Sequence, residues 1–232
     1  MRIFTIDQGN THSSIVCWEG NHPTKVDSIQ DQTAPVITSA VGKNKYPLKS
    51  IDLSQVPDLF SKCLLDVKYC PSLGIDRLMA AIGARILCPQ KQNILIIDAG
   101  TFTTIDTVTG NQFLGGLIIP GDTALADNYS KGSNLYSSNF DIGDYPFNST
   151  QDCMTKSVPF VLEATYQRII SIMDIAHIFI SGGNHAFHQE ILKKVVKSKI
   201  DITVDSILVH RGMKYFYDEH LGNNTFPREK TL

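Results

Sequence analysis

The stretch Ile3-Phe4-Thr5-Ile6-Asp7-Gln8-Gly9-Asn10-Thr11-His12-Ser13-Ser14-Ile15-Val16 decides how this chain is read, because its pattern returns later. The second copy is Ile94-Leu95-Ile96-Ile97-Asp98-Ala99-Gly100-Thr101-Phe102-Thr103-Thr104-Ile105-Asp106-Thr107-Val108. In both, an apolar run ends in Asp-x-Gly and a Thr/Ser-rich alternation follows. Glycine beside polar residues marks a turn, and period-two alternation marks a strand. Each copy therefore predicts a strand, a tight turn and a returning strand. The repetition predicts two related halves facing each other, with an acidic, hydroxyl-rich cleft between them.

An acid two residues before glycine suits phosphate and metal chemistry. The carboxylate can hold Mg²⁺ directly or through water, because that ion prefers oxygen and keeps several waters. The glycine is expected to turn with positive φ and to aim its N–H at phosphate oxygens. Thr and Ser add neutral donors that do not repel a polyanion. One Asp-x-Gly is ordinary hairpin chemistry; two copies, each behind an apolar strand, favour a site. There is no Gly-x-x-x-x-Gly-Lys-Ser/Thr and no Gly-x-Gly-x-x-Gly after a strand, so neither a P-loop nor a Rossmann unit is expected.

The 232 residues suffice for one large or two small domains. A net charge of -2 argues against a general nucleic-acid binder. No apolar run is long enough to span a bilayer, and the chain opens on a strand rather than a leader. Five scattered cysteines (Cys17, Cys63, Cys70, Cys88, Cys153) fit reduced thiols better than disulfides or a zinc site. The expected location is therefore cytoplasmic. His185 and His188 lack acid or thiol partners at ligand spacing and read as surface residues.

Along the chain, residues 2–18 predict a hairpin, with strands near 24–28 and 34–41. Apolar spacing predicts helices over 54–67 and 73–87, separated by Pro71. Residues 94–98, 102–108 and 112–118 predict a three-stranded meander, followed by a helix over 120–130. The polar stretch 131–149 reads as a long loop of the kind that often binds or covers a ligand. A helix at 150–173, a strand at 177–181, a helix at 184–198, a strand at 206–209 and a helix at 210–220 follow. A polar tail from Gly222 to Leu232 reads as disordered. The class is α/β with mixed sheets and helices packed on them. Two more segments attract attention. Gly74-Ile75-Asp76-Arg77 opens a helix and puts a base beside a guanidinium; an acid at a helix start is also simply favourable. Ser181-Gly182-Gly183-Asn184 is either a tight strand-to-helix turn or a close approach to a flat ligand such as adenine.

Taken together, these segments resemble type III pantothenate kinase, a family of the superfamily that holds actin, acetate kinase and the sugar kinases. The resemblance rests on Asp7-Gln8-Gly9-Asn10-Thr11, Gly74-Ile75-Asp76-Arg77, Asp98-Ala99-Gly100-Thr101 with Thr104 and Asp106, and Gly115-Gly116-Leu117-Ile118-Ile119-Pro120-Gly121. Weaker matches are Thr150 with Met154, and Gly182-Gly183. The order is the family's and spans nearly the whole chain. It implies a duplicated ribonuclease-H-like fold, two mixed β-sheets with flanking helices, divided into residues 1–92 and 93–232, the last helix packing back on the first domain.

The resemblance also implies ATP-dependent phosphorylation of pantothenate to 4'-phosphopantothenate, the first step of coenzyme A synthesis. Asp7, Gln8, Gly9, Asn10, Thr11, His12, Ser13 and Ser14 would surround the ATP phosphates, with Asp7 near Mg²⁺. Thr101 matches an ATP contact, and Asp98 matches the ligand of a monovalent cation, K⁺ or NH₄⁺. Asp76 matches the general base. Gly74, Ile75, Asp76, Arg77 and Thr150 match the pantothenate contacts, and Arg77 can hold either substrate or helix. A homodimer is implied, with no nucleic-acid or membrane partner. The chain departs from the family at Gln8, at Ser14 where some members carry Lys, in the spacing from Tyr69 to Gly74, and at Lys156-Ser157-Val158-Pro159. Two other functions fit the same motifs: a catalytically weak, nucleotide-binding regulatory homologue, and a kinase of another small alcohol.

Overall fold

The computed structural model describes residues 1–31, 33–40, 50–67, 72–89, 93–132, 135, 139–196 and 199–222. Tyr69, Cys70, Pro71, the tail beyond Gly222 and residues 133, 134 and 136–138 of the expected loop lie outside the described residues. The chain forms two compact units. The first comprises Met1–Pro89, Asn111–Leu114 and Ile207–Leu232, and the second Gln90–Gly110 and Gly115–Ser206.

In the first unit, β1 (Arg2–Gln8), β2 (Ser13–Glu19) and β3 (His22–Val26) form an antiparallel meander. Two parallel strands, β4 (Val36–Ala40) and β5 (Ser50–Asp52), extend it on the β1 side, giving the order β3-β2-β1-β4-β5. Alternation divides the faces, since successive side chains of a strand point to opposite sides. Phe4, Ile6, Ile15, Cys17 and Val36 form a buried cluster on one side. After β5 come a short α1 (Leu59–Lys62), β6 (Asp66–Val67) and α2 (Ile75–Leu87). Asp66 and Val67 pair in parallel with Gln112 and Phe113. The single helix expected over 54–67 is not formed. Pro57 pushes its predecessor toward extended backbone, Val56 has ψ 118° and Asp58 adopts a left-handed φ of 56°. Of the apolar residues at helical spacing, only Leu59, which opens α1, is buried; Leu53 and Leu65 supply the other buried side chains of this stretch.

The last helix of the described chain, α6 (Leu208–Phe216), packs on α2 within this unit. Glycines permit the close crossing: a Cβ on Gly83 would overlap the Leu208 carbonyl, and one on Gly212 the Met79 carbonyl. The helix expected over 210–220 is formed, two residues earlier at its start, whereas the strand expected at 206–209 is misplaced. The strand, β11, is Asp201–Val204, and the helix begins at Leu208.

The second unit repeats the strand order. Here β7 (Asn93–Ala99), β8 (Phe102–Thr109) and β9 (Gln112–Pro120, entering this unit at Gly115) form the meander, and β10 (Ile175–Ser181) and β11 add in parallel beside β7. The order β9-β8-β7-β10-β11 is the first unit's order again. Helices α3 (Asp122–Tyr129), α4 (Thr150–Met173) and α5 (His185–Val195) complete it. Its core joins Leu95, Ile97 and Ile105 of the sheet to Leu162 and Tyr166 of α4 and Ile191 and Leu192 of α5. Helix α4 runs through Pro159, which has no N–H for the carbonyl of Thr155. That carbonyl accepts instead from the Asp141 amide at 2.9 Å, so the proline ties the preceding loop to the helix. No helix among the described residues is long and apolar enough to cross a membrane.

Candidate active site

Each Asp-x-Gly motif closes a hairpin in its own unit. In the first, Asp7 stands opposite Ser14 in the β1–β2 register, and in the second Asp98 stands opposite Thr104. Directly opposed residues share a face of the sheet. Both acids thus have a hydroxyl neighbour on the same side, and both are half-buried. The turn differs from the sequence expectation. Neither Gly9 nor Gly100 is among the glycines with positive φ. Their amides are engaged inside the hairpins, Gly9 N–H donating to His12 O at 3.0 Å and Gly100 N–H to Phe102 O at 3.1 Å. Glycine here serves close approach, since a Cβ on Gly9 would lie 3.2 Å from the His12 carbonyl. Gln8 is buried, whereas Asn10, Thr11, His12 and Ser13 are exposed at the tip, where Thr11 Oγ1 and His12 Nδ1 lie 2.9 Å apart.

Behind the first hairpin is a buried polar chain absent from the sequence reading. The Trp18 indole N–H donates to Thr5 Oγ1 at 2.9 Å, and Thr5 Oγ1 is 2.8 Å from Nδ1 of His210 on α6. The other ring nitrogen, Nε2, is 2.7 Å from Ser14 Oγ. Burial, then the nearby charge of Lys25, lowers the His210 pKa to about 3, so the ring is neutral. His210 looks like any helix residue in the sequence. The alternation that puts Thr5 and Ser14 on one face was the only available signal.

The Gly74-to-Arg77 segment starts α2. Gly74 is its N-cap, and Asp76 Oδ1 accepts from the Arg77 amide at 2.9 Å. A Cβ on Gly74 would overlap that same Oδ1, so glycine reserves the space the carboxylate fills. A carboxylate among first-turn amides lies at the positive end of the helix dipole. Asp76 and Ile75 are half-buried. Arg77 is buried, its guanidinium 5.9 Å from the centroid of the Phe113 ring.

Three backbone segments meet at the second hairpin. Asp98 Oδ1 accepts from the Ser181 hydroxyl at 2.8 Å, and the Asn184 amide donates to Ala99 O at 3.0 Å. Gly182 has φ 84°, and a side chain there would overlap the Ala99 backbone. The Gly121 amide donates to Thr101 O at 2.9 Å, and a Cβ on Gly121 would overlap Gly100 O. The Ser181-Gly182 turn is therefore packed on the hairpin, and Thr101 is exposed. Thr150 is the exposed first residue of α4, capped by Ser149, whose Oγ accepts from the Asp152 amide at 3.0 Å. His188, expected at the surface, is fully buried: Nδ1 lies 2.5 Å from Tyr166 Oη and Nε2 3.5 Å from Asp122 Oδ1. Helix α5 turns it inward with Ile191 and Leu192.

Among the described residues no group of three or more His, Cys, Asp or Glu gathers as a metal cage. Single carboxylates beside hydroxyls, Asp7 with Ser14 and Asp98 with Ser181 and Thr104, are oxygen donor sets. They suit an ion that keeps water or phosphate as most of its ligands.

The fold is an α/β duplication of two mixed sheets that share one strand order. Comparison with solved structures agrees. A conserved Baf family protein from Campylobacter jejuni, assigned as a transcriptional activator, superposes with a TM-score of 0.62 at 22% identity over 94% of this chain and 99% of its own. The activator of the 2-hydroxyisocaproyl-CoA dehydratase from Clostridium difficile, with bound ADPNP, superposes at 0.56 with 11% identity over 100% of both chains. In sequence, the family profile of type III pantothenate kinase matches residues 58–171. The type III pantothenate kinase of Lawsonia intracellularis is 33% identical over 122 residues, 49% of this chain and 45% of its own length. That of Campylobacter hominis is 29% identical over 139 residues, 58% of this chain and 62% of its own. The chain thus spans less than two thirds of the length of these curated relatives. It is similar to the type III pantothenate kinases, as its motifs imply.

Proposed function

We propose that this chain phosphorylates pantothenate with ATP, giving 4'-phosphopantothenate and ADP, the first step of coenzyme A synthesis. The observation that carries the reading is the Asp76 carboxylate, held at the start of α2 by the Arg77 amide in space left by Gly74. It lies inside the segment shared with the kinase family. In this reading Asp76 accepts the proton of the primary hydroxyl as that oxygen bonds to the γ-phosphorus and the bond to ADP breaks. Gly74, Ile75, Arg77 and Thr150 contact pantothenate. Arg77, packed against Phe113, also holds the helix start in place. Asp7 to Ser14 surround the phosphates, Thr101 contacts ATP, and Asp98 holds K⁺ or NH₄⁺. Mg²⁺ near Asp7, with the monovalent ion, offsets phosphate charge when bound. ADPNP in one fold neighbour supports a nucleotide ligand. The working form is read as a cytoplasmic homodimer without nucleic-acid or membrane partners, each chain folding as two ribonuclease-H-like domains.

The test is phosphorylation of pantothenate by the purified chain with ATP, Mg²⁺ and K⁺. Asp76→Asn is expected to retain ATP binding and to lose about 10²–10⁴-fold in turnover, as for a removed general base. Wild-type turnover in that variant would take Asp76 out of the mechanism. Replacing K⁺ by a bulky organic cation should abolish most activity, and Asp98→Asn should weaken the K⁺ dependence; equal rates in both buffers would remove the ion from Asp98. No product with ATP still bound would leave the regulatory homologue or another alcohol as substrate.

A further inference from the structure

The first hairpin carries a hydrogen-bond chain whose proton directions can be counted. Thr5 and Asp7 of β1 and Ser14, Val16 and Trp18 of β2 share one face, because Asp7 opposes Ser14 and Thr5 opposes Val16. The indole of Trp18 can only donate, so Thr5 Oγ1 accepts from it. The Thr5 proton has two acceptors: the Val16 carbonyl at 3.5 Å, the outer limit of a hydrogen bond, and His210 Nδ1 at 2.8 Å. Given to the shorter contact, the Thr5 proton makes Nδ1 the bare nitrogen. A neutral imidazole then carries its proton on Nε2, where it points at Ser14 Oγ, 2.7 Å away. Ser14 Oγ is thereby an acceptor from inside, and its own proton is left for an acceptor outside.

We propose that His210 is a positioning residue for phosphate binding: its Nε2–H fixes the Ser14 oxygen so that the Ser14 hydroxyl donates to a phosphate oxygen of a nucleoside triphosphate beside Asp7. A serine rotor otherwise points its proton in any of several directions. His210 is 1% exposed, and burial keeps it neutral, so the direction does not invert near neutral pH. Ser13 and Ser14 line a cavity of about 310 Å³ together with Lys25 and Asp27, and the Lys25 ammonium adds positive charge there. The inference rests on the ATP reading above and adds a residue remote in sequence to it.

The experiment is calorimetric titration of the full chain with Mg²⁺ and a non-hydrolysable ATP analogue, combined with ¹⁵N NMR of the His210 ring. Ser14→Ala is expected to weaken binding about 10–100-fold, the effect of losing a hydrogen bond to a charged group. His210→Leu should weaken it similarly, and no further in the Ser14→Ala background, because both remove one interaction. His210→Gln, which keeps a donor at the Nε2 position, should bind within about threefold of wild type. The NMR spectrum should show a protonated Nε2 and a bare Nδ1, and it decides the matter if His210→Leu fails to fold. A protonated Nδ1, or unchanged affinity in Ser14→Ala, overturns the proposal and leaves the kinase reading standing. Absence of analogue binding by the wild type overturns both.

Discussion

At residue 210 the chain encloses an imidazole among Thr5, Ser14 and Trp18, with Lys25 near enough to repel a second positive charge. The folded pKa, about 3, is below the ordinary value of 6.5. Between these values the unfolded chain binds the proton that the folded chain refuses. The associated stability is therefore complete above pH 6.5 and is lost as pH falls from 6.5 toward 3, by up to about 1.4 kcal/mol per pH unit. Urea midpoints of the wild type should fall across that window, and His210→Gln should flatten this part of the slope. The same slope in the variant would acquit His210. Gly74 acts at the same scale. Gly74→Ala should fold, displace the Asp76 carboxylate that occupies the Cβ position, and lower turnover by about 10²-fold or more, toward the effect of losing the base. Full turnover with an intact melting profile would mean that the carboxylate position is immaterial.

Among the elements, the hairpins and long amphipathic segments were legible and the irregular connections were not. Alternation located β1, β2, β7 and β8 within a residue or two, and the capped run from Thr150 to Met173 is helix α4 as expected. The stretch 54–67 misled because its apolar residues have helical spacing, yet of those only Leu59 is buried, and the chain reaches the core again at Leu65. Pro57 was the signal against a helix. The Ser181-Gly182 turn is a strand-to-helix connection whose glycine is needed twice, for its φ of 84° and for its approach to Ala99. Gly182→Ala should cost about 2 kcal/mol or more, from left-handed backbone and overlap together. Chemical denaturation measures this, and a cost near zero would show that the turn can relax away from the hairpin.

In the whole chain, one strand order occurs twice, an antiparallel meander extended by two parallel strands. The units are not contiguous in sequence, since α6 completes the first one from the far end of the chain. A chain ending at Ser206 should therefore lose hydrogen-exchange protection across β1, β2 and α2 while β7 and β10 keep theirs. Retained protection in α2 would show that its packing on α6 is dispensable. Gly83→Val is the milder form of this test, because its side chain would strike the Leu208 carbonyl.

By itself, the sequence determined the duplicated hairpins, the α/β class, the family resemblance and the acids on which the proposed reaction depends. These follow from local patterns: period-two alternation, Asp-x-Gly turns and a glycine before an acid at a helix start. Tertiary structure alone decided that both hairpin glycines serve close packing rather than a left-handed turn. It also decided that His188 is internal and that His210 joins Thr5 and Ser14. The His210 contacts bring together residues about two hundred positions apart, and no local periodicity encodes which helix closes over which strand. Their selection depends on filling one buried space and satisfying every polar group within it.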